Sequence, residues 1–218
     1  MESQSSAWQV AFFPAVIALA VTATRLAGEL LGGPALLFGA EAGGGFALVG
    51  IAWLAPLFGV YFGLRLNRDG KGPAGPGKAV LKALLAVVAF FAVSFSGFMI
   101  SATNFLIQLA MGAVAAVVGG WIAYIAWPKL GRILFAYGIL SRIPVVVIMF
   151  FALLGGWGTH YDAPPPGYPT DLGFVQDFFL LAIVPQLTGW IGYTMAFGCL
   201  FGCLAAALAP GKRSQATA

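Results

Sequence analysis

Charge is scarce in this chain. Asp, Glu, Lys and Arg make up 8% of its 218 residues, where a soluble domain carries about a quarter because its surface must be solvated. So few charges cannot clothe a water-soluble globule, and a lipid bilayer is the expected solvent. Histidine occurs once, at His160. That excludes bis-histidine haem ligation within the chain and leaves a poor ligand set for a metal. Cysteine occurs twice. Cys199 and Cys203 stand four apart on an apolar run, where a bridge within one helix is geometrically poor, so both are expected to pack as small residues. Basic runs are missing as well. The formal charge is +4, but the cations flank apolar stretches and form no phosphate-tracking surface, which excludes nucleic acid as a partner. The chain also lacks a P-loop, a nucleophile elbow, a GxGxxG turn after a strand, an HExxH pair and paired carboxylates within a span. No enzyme activity, no cofactor and no metal site are expected.

What the chain has is apolar length and small residues: 61% of it is hydrophobic and 30 residues are glycine, a composition suited to helices packed closely in lipid. Runs of roughly 20 apolar residues span a bilayer. They fall at about 8–27, 46–65, 79–100, 105–127, 133–157 and 178–209. The expected fold is therefore all-α, a single domain and a polytopic integral membrane protein with six transmembrane helices. Ala55, Gly59 and Gly63 lie at spacings of four on the second run, and Gly112, Ala116 and Gly120 on the fourth. Such small-residue faces let helices approach, and they are expected to serve packing, a membrane-protein partner or a homo-oligomer. The last run holds 32 residues by these bounds, about 48 Å at 1.5 Å per residue. It must tilt, overshoot the hydrocarbon, or break near Pro185 and Gly189.

Between the first two runs, residues 28–45 read as neither helix nor ordinary polar loop. Gly32-Gly33-Pro34 and Gly43-Gly44-Gly45 bracket apolar Leu36-Leu37-Phe38, so an interfacial or re-entrant segment, or a loop sunk among helix ends, is expected.

Orientation follows from the cations. With six spans, one side holds Arg65, Arg68, Lys71, Lys78, Lys82, Lys129, Arg132, Lys212 and Arg213, nine of the eleven basic residues. The other side holds Glu29, Glu41, Asp162, Asp171 and Asp177 with Arg25 as its one base. Positive loops stay inside, so both termini are expected in the cytoplasm, in the cytoplasmic (inner) membrane of a bacterium.

Two constellations stand out. Arg142 lies about 12 Å deep if the fifth span enters the hydrocarbon near Leu134. An intramembrane arginine costs roughly 3 kcal/mol on insertion scales and is a functional-site hypothesis by default. Its side chain either snorkels toward the cytoplasmic headgroups or is held inside the bundle with Ser94 of the third span and Gln186 of the sixth. Ser141 and Pro144 flank it. Pro144 cannot donate its backbone hydrogen bond and should release the carbonyl near Leu140. The second constellation is the outer loop, where His160 and Asp162 flank Tyr161, with Glu41 on the same side. A capped, hydrogen-bonded loop is the expected role, rather than a metal centre.

These features give two function classes. One is a small transport or solute-binding membrane component with a polar site at mid-membrane. The other is a non-catalytic structural or assembly subunit of a membrane complex.

Overall fold

The computed structural model describes residues 6–45 and 47–209. The polar residues before Ser6 and the Pro210-Gly211-Lys212-Arg213 segment that ends the sixth run lie outside them. Among the described residues every regular element is helical, and five helices are long and apolar enough to cross a membrane.

Helix α1 (Ala7–Leu30) starts at a capping box, in which the Ser6 hydroxyl accepts from Gln9 N and the Gln9 side chain accepts from Ser6 N. Reciprocal bonds of this kind satisfy two of the orphan donors at a helix start. A one-turn helix α2 (Ala35–Phe38) follows, then a 3₁₀ turn at Ala42–Gly44. Helix α3 (Leu54–Arg68) is 15 residues long, about 22 Å at 1.5 Å per residue, shorter than a hydrocarbon core of about 30 Å. The second apolar run thus delivers a short helix preceded by irregular backbone, not a helix from residue 46; Phe46 itself lies outside the described residues.

Helix α4 (Pro76–Ile100) and helix α6 (Pro128–Gly155) both open on proline. The missing N–H costs nothing in a first turn and the fixed φ suits it. This is why residues 128–132, which fall between the expected fourth and fifth spans, instead begin α6. Helix α5 (Phe105–Ala126) is capped by the Asn104 side chain on Ile107 N, and the single residue Trp127 joins it to α6.

The last helical segment, α7 (Phe174–Leu208), runs for 35 residues. It does not break at Pro185. It widens into π-helical turns at Phe178–Ile183 and Pro185–Gly189 before resuming α geometry at Trp190. Pro185 has no N–H to donate, and the Thr188 hydroxyl donates back to the Val184 carbonyl at 2.6 Å.

Helix α7 is the hub, packing on α3, α4, α5 and α6, while α1 lies along α6. The α3 contact is glycine on glycine: a methyl added at Gly202 would meet the Gly59 carbonyl oxygen at 2.7 Å. Only residues without Cβ allow backbones this close. On α5, Ala116 similarly meets Gly192 of α7. The α3 face is thus filled by α7, whereas Gly112 on α5 has nothing within 4 Å of an added Cβ.

Two ends are defined by contacts. At one, Asn67 donates to the Ala206 carbonyl and the Trp127 indole to the Lys71 carbonyl. At the other, the Phe105 and Tyr168 rings meet at 5.0 Å and the His160 loop meets α1. An aromatic core of Phe58, Phe62 and Tyr137 closes the bundle between α3 and α6.

Candidate functional site

A cavity of about 700 Å³ reaches from the His160 end of the bundle inward to Arg142 and Gln186. Several elements build it, with Thr22 and Arg25 of α1 among its lining. The glycine-rich segment 42–50 and the His160 loop stand at its mouth, α5 and α4 form one wall, and α6 and α7 form the other. Gly112 and Gly189 line it, and a Cβ added at either would meet nothing within 4 Å.

Arg142 is buried, at 5% exposure. One guanidinium N–H donates to Gln186 Oε1 at 3.2 Å, and the group lies 4.5 Å over the centre of the Trp190 ring. Its Nε has no partner. Gln186 sits in the widened turn, where its amide nitrogen finds only the Met149 sulfur at 3.6 Å. Among the described residues both ion pairs belong to Glu29, so no carboxylate answers Arg142. A guanidinium carries five donors, and this one is largely unmet in an apolar interior.

The expected partners divide. Gln186 meets Arg142, whereas Ser94 is half-buried on α4 and lies off the cavity wall. Ser141 donates to the Gly138 carbonyl of its own helix at 3.1 Å. Pro144 sits inside α6, and Arg142 turns to α7 rather than to the carbonyl that Pro144 leaves near Leu140.

At the mouth the structure assembles a group that sequence reasoning missed. Helix α1 continues to Leu30, past the expected end at residue 27, so Glu29 stands on the same helix as Arg25, one turn further on. Arg25 Nε pairs with Glu29 at 2.7 Å, and its terminal nitrogens donate to the carbonyls of Gly39, Gly44 and Val49. Irregular backbone near lipid must have its polar groups met by protein, and one guanidinium meets three of them here. Gly44, with φ +88, and Gly50 leave room for it: a Cβ at either would crowd Arg25 at 3.2 or 3.1 Å. The signal in the sequence was Arg and Glu at a spacing of four on an apolar helix, followed by a glycine-rich stretch.

Glu29 also accepts from the backbone N–H of His160 at 2.9 Å and contacts its Nδ1 at 2.5 Å. Burial, aided by the nearby Arg25 charge, lowers the His160 pKa to about 4. Glu29, which contacts both groups through one carboxylate oxygen, pulls in the other direction without outweighing burial. The imidazole is thus neutral, with its Nδ1–H donated to Glu29. Asp162 ties the loop by accepting from Gly158 N, Thr159 N and the Thr159 hydroxyl. The Tyr161 hydroxyl donates to the Thr22 carbonyl on α1. Glu41 is exposed, and its carboxylate lies over Gly45.

No metal cluster of His, Cys, Asp and Glu occurs among the described residues. No protein-family model, no curated protein and no solved structure matches this chain. Arg142 brings a buried positive charge to the inner end of the cavity, and apolar side chains such as Phe91, Phe105 and Leu181 line much of the remainder.

Proposed function

We propose that this chain is a small solute-binding component of a membrane, working in transport, with its solute seated in the cavity that Arg142 closes. The supporting observation is the buried Arg142 guanidinium, which faces open space with one side-chain acceptor and no carboxylate. Leaving a buried charge uncompensated is costly, and a protein that keeps one beside a cavity has a use for it. Pockets of about 300–1,000 Å³ take drug-sized solutes, and this one falls within that range.

In this reading the basic end of the bundle, with Arg65, Arg68, Lys71 and Lys129, faces the cytoplasm. The cavity mouth, with His160 and the 42–50 segment, faces the opposite side of a bacterial inner membrane.

Gly112→Leu tests the reading. A side chain there enters open space without meeting the backbone, so it fills the cavity and spares the fold. Wild-type protein extracted from its membrane should carry a stoichiometric small-molecule adduct in native mass spectrometry, and Gly112→Leu should have lost it. Adduct-free spectra from both proteins would overturn the assignment.

A further inference from the structure

We propose that the cavity selects an amphipathic monoanion: one acidic head, carboxylate or phosphate in type, on a single apolar chain or ring system. This inference rests on the solute-binding reading above and names the class of solute.

The charge count comes first. Two arginines line the cavity, and only one is available. Arg25 is matched by Glu29 and three backbone carbonyls. His160 at the mouth adds no positive charge at neutral pH, because burial and the nearby Arg25 lower its pKa to about 4, and its Nδ1 faces Glu29. Arg142 alone has no counter-charge, so the cavity carries one net positive charge, which one anionic group neutralises. A cation would meet repulsion, and a neutral solute would leave the guanidinium as uncompensated as before.

The donor geometry is suited to an acid. Arg142 keeps an unpartnered, buried Nε beside its free terminal nitrogen. Guanidinium N–H groups are strong donors to carboxylates and phosphates, and this guanidinium keeps donors that no protein group meets. The Gln186 amide, held only by the Met149 sulfur, offers a further N–H beside it. The Thr22 hydroxyl also lacks a partner and lines the same cavity.

The walls require the apolar body. Phe90, Phe91, Phe105, Leu180 and Leu181 line the space away from Arg142. A small hydrated anion would lose its water there with nothing to replace it on most sides. Phe91 is 52% exposed and lines the cavity, so its ring offers open apolar surface to a solute. An anion dissolved in the bilayer and one arriving at the aqueous mouth share the chemistry that Arg142 reads. The volume suits a drug-sized, single-chain molecule.

The test uses full-length protein in phosphatidylcholine nanodiscs with radiolabelled decanoate as probe. Decanoate should bind at one site per chain. Decanol, decylammonium and acetate should each compete at least tenfold more weakly than unlabelled decanoate. Arg142→Gln should weaken decanoate binding at least tenfold, and Arg142→Lys should keep the preference for decanoate over decanol. If Arg142→Gln does not fold, the wild-type preference among decanoate, decanol and decylammonium still decides the matter. Equal competition by decanol, with binding abolished by Gly112→Leu, would keep the cavity as a solute site and overturn the anion. Competition by acetate as strong as by decanoate would overturn the amphipathic body. Loss of decanoate binding in nanodiscs doped with phosphatidylglycerol would place a two-chain lipid in the site and overturn the single-chain class. No saturable binding of any probe, with Gly112→Leu indistinguishable from wild type, would bring down the solute-binding reading itself.

Discussion

If Arg142 is held for a ligand, the empty bundle should become more stable when the guanidinium and its partner are both replaced by apolar groups. Three variants separate the contributions. Gln186→Leu removes the one side-chain acceptor of Arg142 and strands a buried charge, which should cost about 2 kcal/mol. Arg142→Met relieves a desolvation penalty of several kcal/mol. It also gives up a charged hydrogen bond of about 1.5–3 kcal/mol and a desolvated cation–π contact of about 2 kcal/mol, and it leaves the Gln186 oxygen unmet. Its net effect should fall within about 1 kcal/mol of zero. The double variant Arg142→Met/Gln186→Leu leaves nothing stranded, and buried ionic groups replaced by packed apolar ones are often stabilised by about 1–4 kcal/mol. The expected order of stability is Gln186→Leu, then wild type and Arg142→Met together, then the double variant. Equilibrium unfolding of ligand-free protein by sodium dodecyl sulfate in mixed micelles, followed by far-ultraviolet circular dichroism, gives the four free energies. A double variant less stable than wild type by more than about 1 kcal/mol would refute the reasoning. Arg142 would then be a satisfied structural group, and a ligand would no longer be needed to explain it.

Two further outcomes are expected. The His160 pKa is lowered to about 4 in the fold by burial and Arg25, against about 6.5 in the unfolded chain. The unfolded state therefore takes up a proton first as pH falls, so stability rises with pH between about 4 and 6.5 and is lost below. The whole difference is about 3 kcal/mol, of which about 2 should disappear between pH 7 and 5. His160→Asn, which keeps an N–H for Glu29 but cannot titrate, should flatten that slope in the same unfolding assay; an unchanged slope would show that another group sets it. For orientation, single cysteines at Asp69 and Thr170, both exposed, in a background without the buried Cys199 and Cys203, should react with an impermeant maleimide from opposite sides of the membrane. Labelling of both on intact cells would sink the proposed arrangement of the helices.

The all-helical class was legible in composition alone. So few charges point to a bilayer as the medium that suits the surface, and in a bilayer apolar runs of spanning length form helices because a helix meets its own hydrogen bonds. The weight on Arg142 was likewise legible, since an arginine flanked by apolar turns is expensive wherever its head ends up. Composition and spacing could not tell which way that head turns. The direction depends on α7, 44 residues away, which passes close enough for Gln186 to accept and for Trp190 to lie beneath. Ser94, at a comparable depth, belongs to a face that misses the cavity. The second apolar run looked like a span because hydropathy counts residues and not hydrogen bonds. Its first half is irregular, and Arg25, carried on α1, meets the Val49 carbonyl there as well as those of Gly39 and Gly44 just before the run. The small-residue faces were visible as spacings, yet whether they serve a partner or the chain itself is a question of which helix lies opposite. Gly59 and Gly202 meet because α7 is the hub of the bundle. Local sequence sets the medium and the helices, whereas the partner of each buried polar or small residue is set by long-range packing, which one-dimensional periodicity does not encode.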